Sequence, residues 1–193
     1  RRAQQRDPDR GRRKEAGDLV LFQQGEQVVG RGLAGDDVAA ADVDNDGDLD
    51  LFVGNLANPT KYGVPTTSYL YLNDGKAHFT KAGDNKIPLH ELGMVTAASF
   101  ADVDKDGWKD LIVSGEWMPV KIFKNNKGTF TATDISASTG LWQTIKTADV
   151  NGDGHLDILA GNWGWNNKFW AGKNGPLKLF VKDFDKNGTI EQV

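Results

Sequence analysis

The feature that most constrains this chain is a nine-residue stretch of alternating carboxylates at residues 42–50, Asp-Val-Asp-Asn-Asp-Gly-Asp-Leu-Asp. Acidic residues occupy its positions 1, 3, 5, 7 and 9, and glycine occupies position 6. A folded protein does not bury so much negative charge unpaired, because an isolated carboxylate is very costly to remove from water. A calcium ion takes about six to eight oxygen ligands, and glycine allows the sharp turn that gathers them. The stretch therefore predicts a calcium loop, with position 7 contributing its backbone carbonyl.

The same pattern recurs at residues 102–110, 149–157 and 183–191, with glycine at position 6 each time. The third copy has asparagine at position 3, and the fourth has asparagine at position 5 and glutamate at position 9. Polar Asp-Gly turns between strands would explain the glycines but not the acids at fixed alternate positions. The predicted calcium ligands are Asp42, Asp44, Asp46, Asp48, Asp50, Asp102, Asp104, Asp106, Trp108, Asp110, Asp149, Asn151, Asp153, His155, Asp157, Asp183, Asp185, Asn187, Thr189 and Glu191.

Composition excludes several other kinds of site. The 193 residues include no cysteine, which excludes a disulfide scaffold, a thiolate metal site and a cysteine nucleophile. No apolar run is long enough for a transmembrane helix, so we expect no membrane insertion. The three histidines lie in no recognisable catalytic spacing, and no nucleophile-elbow, Walker or dinucleotide motif occurs. The sequence therefore predicts no enzyme.

Charge is distributed unevenly along the chain. The four loops hold 5, 4, 3 and 3 of the 27 acidic residues, so the acidity is local to the metal sites. Residues 1–14 instead carry six arginines and one lysine against two aspartates. We interpret residues 1–18 as a disordered basic arm or as an expression or truncation artefact. A nucleic-acid arm is the alternative, but the acidity of the remaining chain argues against a nucleic-acid partner.

Each of the first three acidic loops lies between two predicted strands, a small-residue strand before it and an apolar strand after it. A hairpin with an Asn/Asp/Gly-rich turn then supplies two more strands. The first three loops begin 60 and 47 residues apart, which suits four-stranded units with insertions at residues 56–66 and 82–93. The last spacing, 34 residues, is too short, and residues 163–170 are expected to replace the outer hairpin there. The sequence thus predicts an all-β protein, a β-propeller of four-stranded blades spanning residues 19–193.

The four Asp-x-Asp-x-Asp-Gly-x-x-Asp-like loops between strands resemble the FG-GAP/VCBS repeats of integrin-α-type propellers. Residues 149–162, Asp-Val-Asn-Gly-Asp-Gly-His-Leu-Asp-Ile-Leu-Ala-Gly-Asn, are especially similar to bacterial VCBS-repeat relatives of the cartilage acidic protein family. Residues 91–96, 114–119 and 183–188 also fit that family. The resemblance covers about residues 35–193. The Phe-Gly and Gly-Ala-Pro signatures of integrin repeats are not clear here, so integrin-like ligand recognition is not implied.

Propellers of this family usually have about seven blades, more than this sequence can supply. Either the chain is part of a longer propeller, which we favour, or its terminal strands pair to close a small ring. The rival metal fold is the EF-hand, which needs flanking helices and a glutamate at position 12. That position is Val53, Val113 and Ala160 in the first three loops, which argues against an EF-hand.

The tryptophans are the candidates for ligand contact. Trp163, Trp165 and Trp170 cluster after the third loop, where they either pack between blades or form a platform for sugar rings or a partner protein. Trp117 and Trp142 are expected to fill the core between blades.

Together these features favour a non-catalytic calcium-binding module of a secreted, cell-surface or periplasmic protein that binds a protein or polysaccharide. The alternative is a calcium-dependent polysaccharide lyase or hydrolase.

Overall fold

A computed structural model describes residues 19–23, 26–30, 37–58, 61–164 and 177–193. The chain divides into two compact units, Arg1–Ala34 and Gly35–Val193. In the first unit, β1 (Leu19–Gln23) and β2 (Glu26–Gly30) pair antiparallel. The basic segment at residues 1–18 lies outside the described residues.

The second unit begins with a four-stranded antiparallel sheet whose strands lie side by side in chain order. Its strands are β3 (Asp37–Ala41), β4 (Asp50–Gly54), β5 (Tyr69–Asn73) and β6 (Phe79–Lys81). The first acidic loop joins β3 to β4. Residues 56–66 and 82–93, the expected insertions, connect β4 to β5 and β6 to the next sheet. A bridge between Thr66 and Gly93 ties these two connections together.

The second sheet repeats this plan around the second acidic loop. Its first four strands in chain order are β7 (Met94–Ala101), β8 (Asp110–Met118), β9 (Lys121–Asn126) and β10 (Thr129–Asp134), and the two strands around the third loop complete this six-stranded sheet. The third loop joins β11 (Gly140–Ala148) to β12 (Asp157–Asn162), and the fourth joins β13 (Val181–Lys182) to β14 (Glu191–Gln192). The end of β8 also pairs with β11, through Gly140 opposite Met118 and Leu141 opposite Glu116.

The predicted unit of strand, loop, strand, hairpin, strand, turn and strand is therefore confirmed around the first and second acidic loops. Residues 163–170 were expected to replace the outer hairpin of the third unit, and residues 165–170 of that stretch lie outside the described residues. The described strands form antiparallel sheets and no closed sheet, an arrangement that fits a β-propeller-like fold.

The core lies on both faces of β8. Successive side chains of a strand point to opposite faces. Leu111 and Val113 accordingly join a cluster that contains Phe52 and Leu70 of the first sheet. Ile112, between them, joins a second cluster that includes side chains of β11 and β12. The β8 strand is thus covered on one face by side chains of the first sheet and on the other by side chains of β11 and β12.

Of the two tryptophans expected in the core, only one packs there. Trp142 packs against the second cluster, as predicted, and its indole N–H donates to the carbonyl of Ser138 at 2.7 Å. The prediction for Trp117 is wrong: it is half-buried and belongs to neither cluster. On β8 it is the extra residue of a β-bulge opposite β11, with φ of 60°. The bulge turns its side chain out of the core packing.

β7 and β8 approach each other closely at Gly115. A Cβ at this position would lie 2.0 Å from the carbonyl oxygen of Met94 and 2.6 Å from Sδ of Met118. The first contact is with backbone, which cannot rotate away, so only glycine fits there.

Replacing this glycine with alanine, Gly115→Ala, is expected to destabilise the fold by about 2–3 kcal/mol, because the strands must shift to admit the methyl group. The matched control is Gly83→Ala, whose new methyl group would meet only the movable side chain of Asn85, with Oδ1 nearest at 2.6 Å. Chemical denaturation of both variants measures the difference. Equal midpoints would show that the close approach does not constrain the sheet.

Candidate metal centres

The four acidic loops share one hydrogen-bonding pattern that bends the backbone around the first carboxylate. In the first loop, Oδ2 of Asp42 accepts the N–H of Gly47 at 3.0 Å, which joins positions 1 and 6. Oδ1 of Asp46 accepts the N–H of Asp48 at 3.0 Å, which joins positions 5 and 7. Equivalent bonds recur in the other three loops at 2.7–2.9 Å. The repeated sequence therefore encodes a repeated local structure.

Two backbone positions in each loop adopt positive φ. The glycine at position 6 has φ between 83° and 97°, as its predicted role in the turn requires. Position 4 is also left-handed: Asn45, Lys105 and Lys186 have φ near 60°, and Gly152 has 77°. Sequence reasoning missed position 4. The asparagine and glycine found there in two loops were the available signal, since both tolerate this conformation better than other residues.

The loops bring the carboxylates of positions 1, 3 and 9 together. In three loops one oxygen from each of these residues lies within 4.8 Å of the others. The three groups are Asp42, Asp44 and Asp50; Asp102, Asp104 and Asp110; and Asp183, Asp185 and Glu191. The position-5 side chains each accept the N–H of position 7 through Oδ1, and they also stay predicted ligands. The position-7 carbonyls of Asp48, Trp108, His155 and Thr189 stay predicted ligands.

The third loop differs because its position 3 is an amide. Asn151 donates from Nδ2 to Asp153 at 3.1 Å and accepts the N–H of the same residue at 2.9 Å. Asp149 and Asp157 keep the loop's backbone bonds, accepting the N–H groups of Gly154 and Val150. Within the described part of the chain, no three carboxylates gather in this loop as they do in the others.

Position 9 closes each loop with a further bond. Oδ2 of Asp50 accepts the N–H of Val43 at 2.9 Å, and its Oδ1 accepts the N–H of Asn73, at the end of β5, also at 2.9 Å. Asp110 does the same in the second loop, with Val103 at 3.0 Å and Asn125 at 2.8 Å. In the first two loops the position-9 carboxylate thus fastens the acidic loop to the hairpin that follows it.

The first two loops bury negative charge. Asp50 and Asp110 are both 0% exposed, and burial raises the pKa of each carboxyl above its usual value. The pKa of Asp44 is raised by burial, and the neighbouring charges of Asp46 and Asp42 raise it further. Oδ1 of Asp44 is buried without a hydrogen-bond partner. An oxygen left unsatisfied among three carboxylates fits a hard cation, which would supply both the missing contact and the missing charge.

A lysine compensates part of this charge in the second loop. Nζ of Lys124 lies 3.0 Å from Oδ2 of Asp104, and this hydrogen bond lowers the pKa of the carboxyl. Both side chains are substantially exposed, so the pair adds little to stability. One lysine cannot neutralise three carboxylates, and the second loop therefore keeps its capacity for a divalent ion.

Asn125 connects the second loop to the first. It is 2% exposed, and its Nδ2 donates to the carbonyls of Val43 at 2.7 Å and Lys109 at 3.1 Å. Its Oδ1 accepts the N–H of Gly128 at 2.8 Å. One amide side chain thus ties a β9 hairpin to two successive acidic loops. The residue was not singled out from the sequence, although Asn73 ends β5 at the equivalent point and bonds Leu49 in the same way.

Only one of the three tryptophans predicted to contact a ligand lies in the described residues. Trp163 is 41% exposed and lines a cavity with Tyr62, Glu116 and Trp117. Trp165 and Trp170 lie outside the described residues. The structure therefore places one predicted aromatic beside three residues that the sequence had not connected with it.

Comparison with known proteins bears on these loops directly. An FG-GAP-like repeat model matches residues 56–113 and again residues 102–160, so the two matches together span more than half of the chain. The chain belongs to the FG-GAP-like repeat family. The matched residues contain the second and third acidic loops, which confirms the resemblance seen in the sequence.

One curated relative is Cartilage acidic protein 1 of Xenopus tropicalis, 34% identical over 87 residues. The alignment spans 42% of this chain and 12% of that protein. The FG-GAP-like chain thus corresponds to a small part of this longer relative. In the part of the chain that the structure describes, no helix is long and apolar enough to cross a membrane.

Truncating the bridging amide, Asn125→Ala, is expected to destabilise the protein by about 2–4 kcal/mol, because buried donors and acceptors lose their partners. The control is Asn126→Ala, which truncates the exposed neighbouring amide. Thermal or chemical unfolding of the two variants tests the difference. A small and equal effect for both would mean that the link between loops contributes nothing to stability.

The loops are also expected to differ in their response to calcium. Asp104 contributes a carboxylate to a gathered group, whereas Asn151 has only an amide to offer, and fewer charged ligands weaken calcium binding. Asp104→Ala should therefore reduce the calcium-dependent rise in melting temperature more than Asn151→Ala. Calorimetric titration of each variant gives the same ranking independently, and the reverse order would contradict it.

Proposed function

We propose that this FG-GAP-like protein is a calcium-stabilised, non-catalytic binding module of an extracellular protein. The observation that carries the proposal is the gathering of three carboxylates at the same positions of a repeated loop. Calcium would be held in the first loop by Asp42, Asp44 and Asp50, with the equivalent residues acting in the second and fourth loops. The ion would supply positive charge, and hydrogen bonds within each loop hold the backbone in the shape that would receive the ion.

The role proposed for calcium is structural because the loops lie where strands join. The buried carboxylate of Asp50 bonds both its own loop and the end of β5, and Asp110 bonds β9 in the same manner. Neutralising these carboxylates removes their mutual repulsion without breaking those bonds. Calcium binding should therefore stabilise the sheets. In this proposal the gathered carboxylates bind the metal and take no part in acid–base catalysis.

An extracellular setting suits this role. Extracellular calcium modules bind with dissociation constants of about 10⁻⁴–10⁻³ M, and a structural site must be filled under its working conditions. The sheets would then present a stable surface to a partner, either another protein or a polysaccharide. Membership of a repeat family whose units stack into propeller-like sheets supports a binding role of this kind.

Calcium is expected to raise the melting temperature of the protein relative to chelator. A ligand that binds only the folded state stabilises it by about 2.7 kcal/mol per site at a hundredfold excess over its dissociation constant. Asp44→Asn should reduce this gain, because it removes one charge from the first gathered group. Asp48→Asn is the matched control, since it removes the same charge from a carboxylate that lies against Gly75 outside the group. Identical melting temperatures in calcium and chelator would sink the proposal.

A further inference from the structure

A cavity of about 270 Å³ lies apart from the acidic loops. Its walls include the aromatic side chains of Tyr62, Trp117 and Trp163 and the aliphatic side chains of Leu141 and Leu177. Segments far apart in sequence therefore meet there, all within the second unit. The cavity has the mostly apolar walls and few polar groups that are typical of a ligand site.

A buried polar group lines the cavity: the carboxyl of Glu116, which is 7% exposed. Its Oε2 accepts the hydroxyl of Tyr62, and its Oε1 accepts Nε2 of Gln143 at 2.9 Å. A carboxylate can accept about four hydrogen bonds, so each oxygen retains capacity for another donor. Among the described residues, no lysine, arginine or histidine nitrogen lies within 4.0 Å of it. Lys178 lines the same cavity without forming such a pair.

The side chains around Glu116 are held in place by bonds and by backbone strain. Trp117 donates its indole N–H to the hydroxyl of Tyr62 at 3.1 Å, and Tyr62 in turn donates to Glu116. Burial and the bond to Glu116 raise the pKa of Tyr62 to about 12, so this hydroxyl keeps its proton. Trp117 also holds φ at 60°, which is unfavourable for a bulky residue and is found where a fold imposes a particular orientation. The bulge thus turns an aromatic face beside an oriented carboxyl.

We propose that this cavity binds the side chain of a lysine or arginine presented by a partner protein. The buried carboxylate attracts a cation, and aromatic faces add favourable cation–π contact. The aliphatic walls suit the methylene stem that both basic side chains carry. A sugar would need more polar partners than the lining offers. This inference rests on the proposed function, because it names what the binding module recognises.

The test is titration of the calcium-loaded protein with three small probes, followed by NMR of the Trp117 indole N–H. The probes are N-acetyl-arginine amide, its uncharged analogue N-acetyl-norleucine amide, and a neutral disaccharide. The arginine probe is expected to shift the signal and saturate, with the norleucine probe at least about tenfold weaker. Glu116→Gln should weaken arginine binding to the norleucine level. Asp84→Asn, which removes a charge at an exposed position outside the cavity, should leave it unchanged.

Three results would overturn the inference: equal binding of the arginine and norleucine probes, a response to the disaccharide but not to arginine, or no response to any probe. Raising the salt concentration gives a check that needs no variant, because a charge-assisted contact weakens with ionic strength and an apolar one does not. A calcium titration on the same sample separates the two proposals. If calcium stabilises the fold while no cationic probe shifts the signal, the cavity proposal fails and the calcium proposal stands.

Discussion

The structure depends on how its buried carboxylates are compensated. Asp50 and Asp110 have no exposed surface, yet each lies close to two other acidic side chains. Backbone N–H groups satisfy their oxygens as hydrogen-bond acceptors but cannot cancel the repulsion between neighbouring charges. Burial raises the pKa of both carboxyls, and the neighbouring acidic charges raise it further. In the proposed function, a divalent ion at the centre of each group would provide the compensation that the protein's own residues lack.

This local requirement is connected to the packing of the sheets. The position-9 carboxylate fastens its loop to the next hairpin, and Asn125 extends the connection to the preceding loop through the carbonyl of Val43. Behind the loops, β8 is buried on both faces by apolar side chains. Polar links at the loops and apolar packing between the sheets therefore act on the same strands. A change in the charge of one loop is expected to be felt in the neighbouring unit.

Much of this arrangement follows from local sequence pattern. The small-residue and apolar runs that flank the acidic loops predict the strands, and glycine at position 6 predicts the turn, because each depends on residues near in sequence. Which carboxylates gather was less predictable. Asp46 has the same chemistry as Asp44, but the turn directs it to the N–H of Asp48. Backbone geometry decides which carboxylate joins the group, and that geometry cannot be read from the residue types alone.

The cavity shows the limit of local pattern more clearly. Tyr62, Glu116 and Trp163 come from three segments whose meeting depends on the packing of the whole unit. Trp117 was expected in the core because large aromatic residues usually are buried. The bulge that turns this side chain outward arises from the register between β8 and β11, and residues 114–119 carry no pattern that predicts the register shift. Long-range pairing of this kind is settled only by the fold.

The central claim is that the gathered carboxylates hold calcium. A crystal structure grown in calcium, with anomalous diffraction data collected to locate the metal, tests it most directly. The account predicts anomalous density beside Asp42, Asp44 and Asp50 and beside their counterparts in the second loop, at about 2.3–2.6 Å from carboxylate oxygens. It also predicts that Lys124 gives up its contact with Asp104. Loops without anomalous density at saturating calcium, with the lysine still bound to the carboxylate, would contradict the account.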